Sequence, residues 1–352
     1  MRSILFAVLA VFLIVEPATG QGRITEERSS VRTWRDPDLG QALIEGVGTA
    51  QHLWIRGASG KVVRFDRATG ERFVAAEDVV DILADGTHLW ALIALTDNES
   101  VVRDLRQPEV AQRRVSFQGS PVALFSTGAG PGVLTTTTVL LPAATGWSLR
   151  PTAGALDRRA HVSALTGGTL FVGYNRGEWG GGLRRIDVST GTVSFVREPG
   201  NALCEGRLNP ECRPVVGIVP DPLQPECILV GASLAHLSAR KGEVLGVCGD
   251  TITSVFEDPL PVIPNSIVSR PGQTWPFDSL VAIDEGWLAV GQDRFARSIR
   301  GVVAMGDVPV LQAWAGLRIS DEIDDVIFVE GACCWGSETL VQYRVIAIPT
   351  GD

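Results

Sequence analysis

His52–Phe73 reads HLWIRGASGKVVRFDRATGERF. Leu53-Trp54-Ile55-Arg56 is a short apolar strand, followed by a Gly-rich connection and a second strand from Val62 to Phe65. The tight turn Asp66-Arg67-Ala68-Thr69-Gly70 then reverses the chain, because Asp accepts backbone N–H groups and Gly takes φ > 0 without steric cost. Weaker copies of this unit follow. Their second strands are His52–Ile55, His88–Ala91, Gly132–Thr135, Thr169–Val172, Cys227–Val230, Gly286–Ala289 and Val326–Val329. The strands preceding them start near residues 43, 79, 121, 161, 214, 279 and 316. Four short strands per ~40-residue repeat are the mark of a β-propeller. An all-β single propeller is therefore expected, seven-bladed on this alignment, with six or eight blades as alternatives. The last unit is too short for four strands. Residues near Val31–Trp34 are available to complete it and close the ring, which removes a free sheet edge.

The 352-residue chain is 45% hydrophobic and 20% charged, enough to bury a large core. Its 39 Gly and 20 Pro punctuate short apolar runs, and no helical periodicity is sustained. Arg2, the apolar run Ile4–Val15 and the small residues Ala18-Thr19-Gly20 predict a secretory signal peptide over residues 1–20. Twelve apolar residues span only ~18 Å as a helix, short of a hydrocarbon core of about 30 Å, so a membrane anchor is not expected. Residues 21–41 are read as a segment contributing the closing strand, and 42–352 as the propeller. An exported monomer, periplasmic or extracellular, is the expectation. The net charge of −9 and the lack of a Lys/Arg cluster argue against nucleic acid as a partner.

In an exported chain six cysteines point to disulfides rather than a metal site. Cys204, Cys212, Cys227, Cys248, Cys333 and Cys334 are all assigned to disulfides, with nearest-neighbour pairing favoured. Cys204 with Cys212 would close a small loop around Pro210. Cys227 and Cys248 are expected on the second and fourth strands of one blade or on neighbouring blades. Cys333 and Cys334 would form a vicinal ring, the alternative being pairing with distant cysteines.

The turn Arg64–Gly70 is echoed by Arg185-Ile186-Asp187-Val188-Ser189-Thr190-Gly191, with a degenerate copy at Leu237–Glu243. This D-x-x-T-G pattern resembles the repeats of quinoprotein-like propellers in secreted bacterial proteins, where a docking Trp follows the turn. Phe73 stands in that place here, and no Trp follows Gly191. The adjacent Cys333 and Cys334 are similar to the cysteine ring near the cofactor of quinoprotein alcohol dehydrogenases. The resemblance extends to architecture and turns and brings no quinone site with it.

Antiparallel blades place second-to-third and blade-to-blade connections on one face. Four irregular segments fall there: Asn175–Gly182, Cys204–Cys212, Asp250–Asp278 and Gly331–Gly336. Loops on a rigid scaffold are where binding concentrates. Asn175, Arg176, Glu178, Trp179 and Trp335 are the candidate ligand-binding residues, the Glu178 carboxylate beside the Trp179 ring suiting a sugar or a cation. The glycines around them would allow close approach to a ligand. No catalytic residue is assigned. His52 and His88 occupy equivalent repeat positions, as structural residues do, while His161 and His236 stand without partners at ligand spacing. The acidic knot Asp321, Glu322, Asp324 and Asp325 is placed on the opposite face as a solvated turn. The preferred reading is a binding module for a protein or carbohydrate-like ligand, with no cofactor predicted. The alternative is a propeller enzyme using the central channel, either a quinoprotein-like dehydrogenase or a lactonase-like hydrolase holding calcium from Glu77-Asp78, Asn265 and Asp278.

Overall fold

Short apolar runs bury both faces only when each sheet is covered on both sides by its neighbours. In the computed structural model, Leu53, Trp54 and Ile55 are all buried, as are Leu89–Leu92 and Val133–Thr135, and all three runs lie on second strands. Outer strands differ: Gly146–Pro151 and Thr251–Phe256 are mostly exposed. The structure describes residues 32–36, 38, 43–49, 326–332 and 339–346. It also describes 51–307, apart from 97, 110, 111, 155, 159, 201, 203, 237, 238, 265, 267, 268, 284 and 292.

Six four-stranded antiparallel sheets follow one another in sequence order. Their first strands are Leu43–Gly48, Val79–Asp85, Pro121–Thr127, Val162–Thr166, Val215–Pro220 and Ser279–Ile283. We number these blades 1 to 6. Each successive pair encloses one apolar cluster. Trp54 and Val62 of blade 1 meet Ile82 and Leu89 of blade 2, and Leu229 and Val244 of blade 5 meet Leu280 and Trp287 of blade 6. Burying each such side chain stabilises by about 1.5–3 kcal/mol, so the blade interfaces carry the fold.

The seven-bladed expectation is corrected: the structure has six blades. The remaining strands, Val326–Ala332, Thr339–Ile346 and Arg32–Asp36, form a three-stranded sheet. The two C-terminal strands pair with each other, and the N-terminal strand adds to them antiparallel, Arg32 opposite Tyr343 and Asp36 opposite Thr339. A complete blade needs a fourth, innermost strand. The residues near 316 expected to supply it lie outside the described residues, as do Asp321, Glu322, Asp324 and Asp325.

The turn chemistry is as the sequence implies at two sites. Asp66 Oδ1 accepts the N–H groups of Ala68 and Thr69 at 2.9 and 2.7 Å, with Gly70 at φ 78°. Asp187 Oδ1 accepts those of Ser189 and Thr190 at 2.8 and 3.1 Å, with Gly191 at φ 75°. Both turns join third to fourth strands. The degenerate copy is different. Leu237–Glu243 spans the hairpin between the second strand, Ile228–His236, and the third, Ala239–Cys248, of blade 5. Gly242 serves another purpose there: a Cβ at this position would lie 2.1 Å from the Trp275 carbonyl oxygen.

Cys204–Cys212 and Cys227–Cys248 are disulfides. The second joins the entry of a second strand to the end of the third, not second to fourth, because Cys248 closes the third strand. Cys333 and Cys334 lie outside the described residues. Phe73 does not dock between blades. It is 40% exposed, with the Arg64 guanidinium stacked 3.8 Å from its ring centroid. Phe195 and Arg184 repeat this pairing at 3.4 Å in blade 4. His52 and His88 behave as structural repeat residues. His88 Nδ1 lies 2.7 Å from Asp104 Oδ2, and its ring stacks on Trp90. His52 faces Asp66, and burial, followed by the nearby Arg64 charge, pushes its imidazole pKa down.

Candidate functional site

The site is built on a turn braced by its own hydrogen bonds. The second and third strands of blade 4, Thr169–Asn175 and Gly181–Asp187, are joined through a single 3-10 turn, Gly177–Trp179. Asn175 Oδ1 accepts the Gly177 N–H at 2.9 Å, and Arg176 N–H donates to the Gly180 carbonyl at 2.8 Å. Arg176 is anchored sideways by Asp157, Nη2 to Oδ2 at 2.5 Å. The same carboxylate faces Arg184 at 3.7 Å, and the Tyr174 hydroxyl donates to the Asp157 carbonyl. Burial pushes the Tyr174 phenol well above its usual pKa, so it remains protonated.

The glycines here approach not a ligand but the disulfide loop. Gly181 N–H donates to Pro210 O at 2.7 Å, and Gly182 N–H to Arg213 O at 2.9 Å. Gly180, Gly181 and Gly182 all have positive φ, and a Cβ on Gly180 would lie 2.3 Å from Pro210 O. The Cys204–Cys212 loop is thus a buttress behind the turn. The loop is further tied by Arg207, which donates to Glu198 at 2.8 Å. Removing the disulfide with a Cys204→Ser/Cys212→Ser double variant should cost about 2 kcal/mol. Limited proteolysis should then cut first between residues 200 and 213. Unchanged resistance there would refute the buttress role.

In front of the turn lies a cavity of about 510 Å³, within the size range of small-ligand sites. It spans blades 4 to 6 on the face bearing the irregular connections. Asn175, Arg176, Glu178 and Trp179 line one side. Trp179 is 74% exposed, the most open large aromatic side chain of the described residues. The opposite side is the entry of blade 6, Phe277 and Asp278, reached by the long connection after Phe256. Only residues beyond Phe256 form that connection, since Thr251–Phe256 is the fourth strand of blade 5. Ser233 and Val216 of blade 5 line the cavity between them. Ser233 Oγ accepts the Phe277 N–H at 2.9 Å, pinning blade 6 to blade 5 at this point.

Asp278 is the chemically distinctive group. Its backbone N–H donates to Val290 O at 2.7 Å, while its carboxyl meets no hydrogen-bond or ion-pair partner among the described residues. Burial alone pushes its pKa up to about 7. A cleft carboxyl held up by burial is a candidate functional group.

Four of the five predicted site residues therefore come together. Trp335 lies outside the described residues, in the connection between Val326–Ala332 and Thr339–Ile346. Sequence reasoning did not assign Ser233, Phe277 or His161 to this cavity, and offered Asp278 only as a calcium ligand. The dense run Trp275-Pro276-Phe277-Asp278 after a long Pro-rich connection was the available signal. Among the described residues, no three His, Cys, Asp or Glu side chains come together as a metal-binding group. Glu77 is paired with Lys61 at 3.2 Å, and Asn265 lies outside the described residues.

No family model and no curated protein matches the chain. Solved structures do. A chain of the mitotic checkpoint complex is 13% identical with a TM-score of 0.54, over 98% of both chains. U3-55K is 10% identical with a TM-score of 0.52, over 89% of this chain and 98% of that one. The extracellular domain of BT4673 from B. thetaiotaomicron is 12% identical with a TM-score of 0.50, over 88% of this chain and 39% of that one. At these identities the likeness establishes the β-propeller fold and nothing narrower.

Proposed function

We propose that this protein is an exported β-propeller that serves as a binding module, engaging its ligand or protein partner on the face that carries the long connections. The observation behind this reading is the 74% exposed Trp179 on a braced turn at the rim of the cavity. An aromatic ring kept open to solvent on a rigid element costs little entropy when a ligand covers it. Export is supported by the two disulfides, which persist in oxidising compartments. No helix among the described residues is long and apolar enough to cross a membrane.

Truncating a central aromatic contact typically costs 2 kcal/mol or more, roughly a thirtyfold loss of affinity. Trp179→Ala should weaken binding by about that factor for whichever compound or protein the wild type retains from culture supernatant or periplasm. Glu178→Ala should weaken it less. Isothermal titration with the retained species measures both. Undiminished affinity in Trp179→Ala, Glu178→Ala and the Cys204→Ser/Cys212→Ser variant would place the partner elsewhere.

A further inference from the structure

The geometry points to the terminal ammonium of an aliphatic amine as the group this cavity takes, seated against the Asp278 carboxylate with its chain along Phe277 and Val216. The inference rests on the loop-face reading above and narrows it to a ligand class.

Three observations combine. The first is the Asp278 carboxyl, which has no partner among the described residues and lines the cavity. A half-buried carboxylate without a protein donor is costly, and a ligand supplying charged N–H donors removes that cost. A neutral hydroxyl would supply a weaker, single bond. The second is the charge of the lining. Asp278 is acidic; the lining arginine, Arg176, is held by Asp157, which offsets its charge locally. Glu178 and His161 are the other lining groups that can carry charge, and each is already engaged in a contact of its own. With Arg176 offset, an ionised Asp278 leaves a negative charge on the cavity wall. The third is the character of the walls. Phe277 and Val216 are buried apolar residues, suited to a methylene chain, and the Trp179 face at the mouth attracts cations.

The arrangement also makes capture depend on pH. Burial holds Asp278 near pH 7, so the carboxylate that the ammonium needs is about one-tenth formed at pH 6 and about nine-tenths at pH 8. Affinity should rise about tenfold over that interval, and binding at pH 7 should release about half a proton to buffer. The free amine and a lysyl side chain share this chemistry.

The test is calorimetric titration with n-butylamine and with Nα-acetyl-lysinamide, alongside n-butanol, butyrate and a neutral disaccharide, at pH 6 and pH 8. Both amines should bind, tenfold tighter at pH 8, with proton release seen as a dependence of heat on buffer ionisation enthalpy. Preference for the free amine identifies a small-molecule ligand; preference for the lysyl compound identifies a protein partner. Asp278→Asn should lower amine affinity at pH 8 at least tenfold and flatten the pH profile. His161→Gln, a control at the imidazole in the lining, should keep it. Amine binding unchanged by Asp278→Asn, or a profile abolished by His161→Gln alone, would overturn the inference. So would a disaccharide that binds in a Trp179-dependent way while both amines are ignored, a result that would leave the loop-face reading standing.

Discussion

Arg56→Met is expected to cost roughly 3–5 kcal/mol of folding stability, the penalty for stripping one partner from a buried ionic cluster. Arg56 Nε donates to Glu45 Oε2 at 3.0 Å, and its Nη2 lies 3.9 Å from Asp81 Oδ1. Both carboxylates are on first strands, and both reach across to the next blade. Glu45 Oε2 accepts the Ile82 N–H of blade 2 at 3.3 Å, and Asp81 Oδ2 accepts the Leu124 N–H of blade 3 at 2.7 Å. Ser163 Oγ of blade 4 continues the chain by donating to Leu124 O at 2.6 Å. The guanidinium thus holds two acids that stitch three blades. Burial, and then the Glu45 charge, push the Asp81 carboxyl well up. An acid raised in the folded state stabilises at low pH, and that contribution is lost as pH climbs through its folded value. The Arg56→Met deficit should therefore shrink on acidification toward pH 4. Urea unfolding at pH 4, 5.5 and 7 measures it; a deficit equal at all three would refute the cluster as described.

Asp278→Asn should raise stability above pH 7 and leave it nearly unchanged near pH 4. The wild-type carboxyl titrates at about 7 when folded and near 3.9 when unfolded. Between those values the folded state binds the extra proton, so stability falls as pH rises, by about 1.4 kcal/mol per unit at most. Three units set a ceiling of about 4 kcal/mol; water entering the cavity reduces the expected difference to about 2 kcal/mol. Parallel denaturation curves for wild type and Asp278→Asn from pH 4 to pH 8 isolate this term from that of Asp81, which the variant retains. A side chain that weakens its own fold at neutral pH is retained at a cost, as binding sites commonly are.

These two predictions differ in how much of them the sequence disclosed. Glu45, Arg56 and Asp81 are unremarkable in the sequence, a charge or two on strands otherwise apolar, and nothing marks them as a cross-blade cluster. Asp278 was visible only as one acid near a blade entrance. Glu178 and Trp179, by contrast, stand out because the turn carrying them departs from the plain copy at His52–Phe73. Departures of that kind survive in one dimension. Convergence of residues more than a hundred positions apart, such as Asn175 and Asp278, does not.

Six of the seven repeat starts, the D-x-x-T-G turns at Asp66 and Asp187, and the pairings Cys204–Cys212 and Cys227–Cys248 were determined by the sequence itself. Each depends on contacts within a hairpin or a short loop, where apolar alternation and φ preference act on neighbouring residues. Tertiary structure alone decided the rest. It set the number of complete blades at six and turned Gly180–Gly182 toward the disulfide loop rather than a ligand. It exposed Phe73, which the repeat pattern had placed as a docking residue, and left the Asp278 carboxyl without a partner among the described residues. Those outcomes depend on how blades lean together, and desolvation and close approach are set by groups distant in the chain.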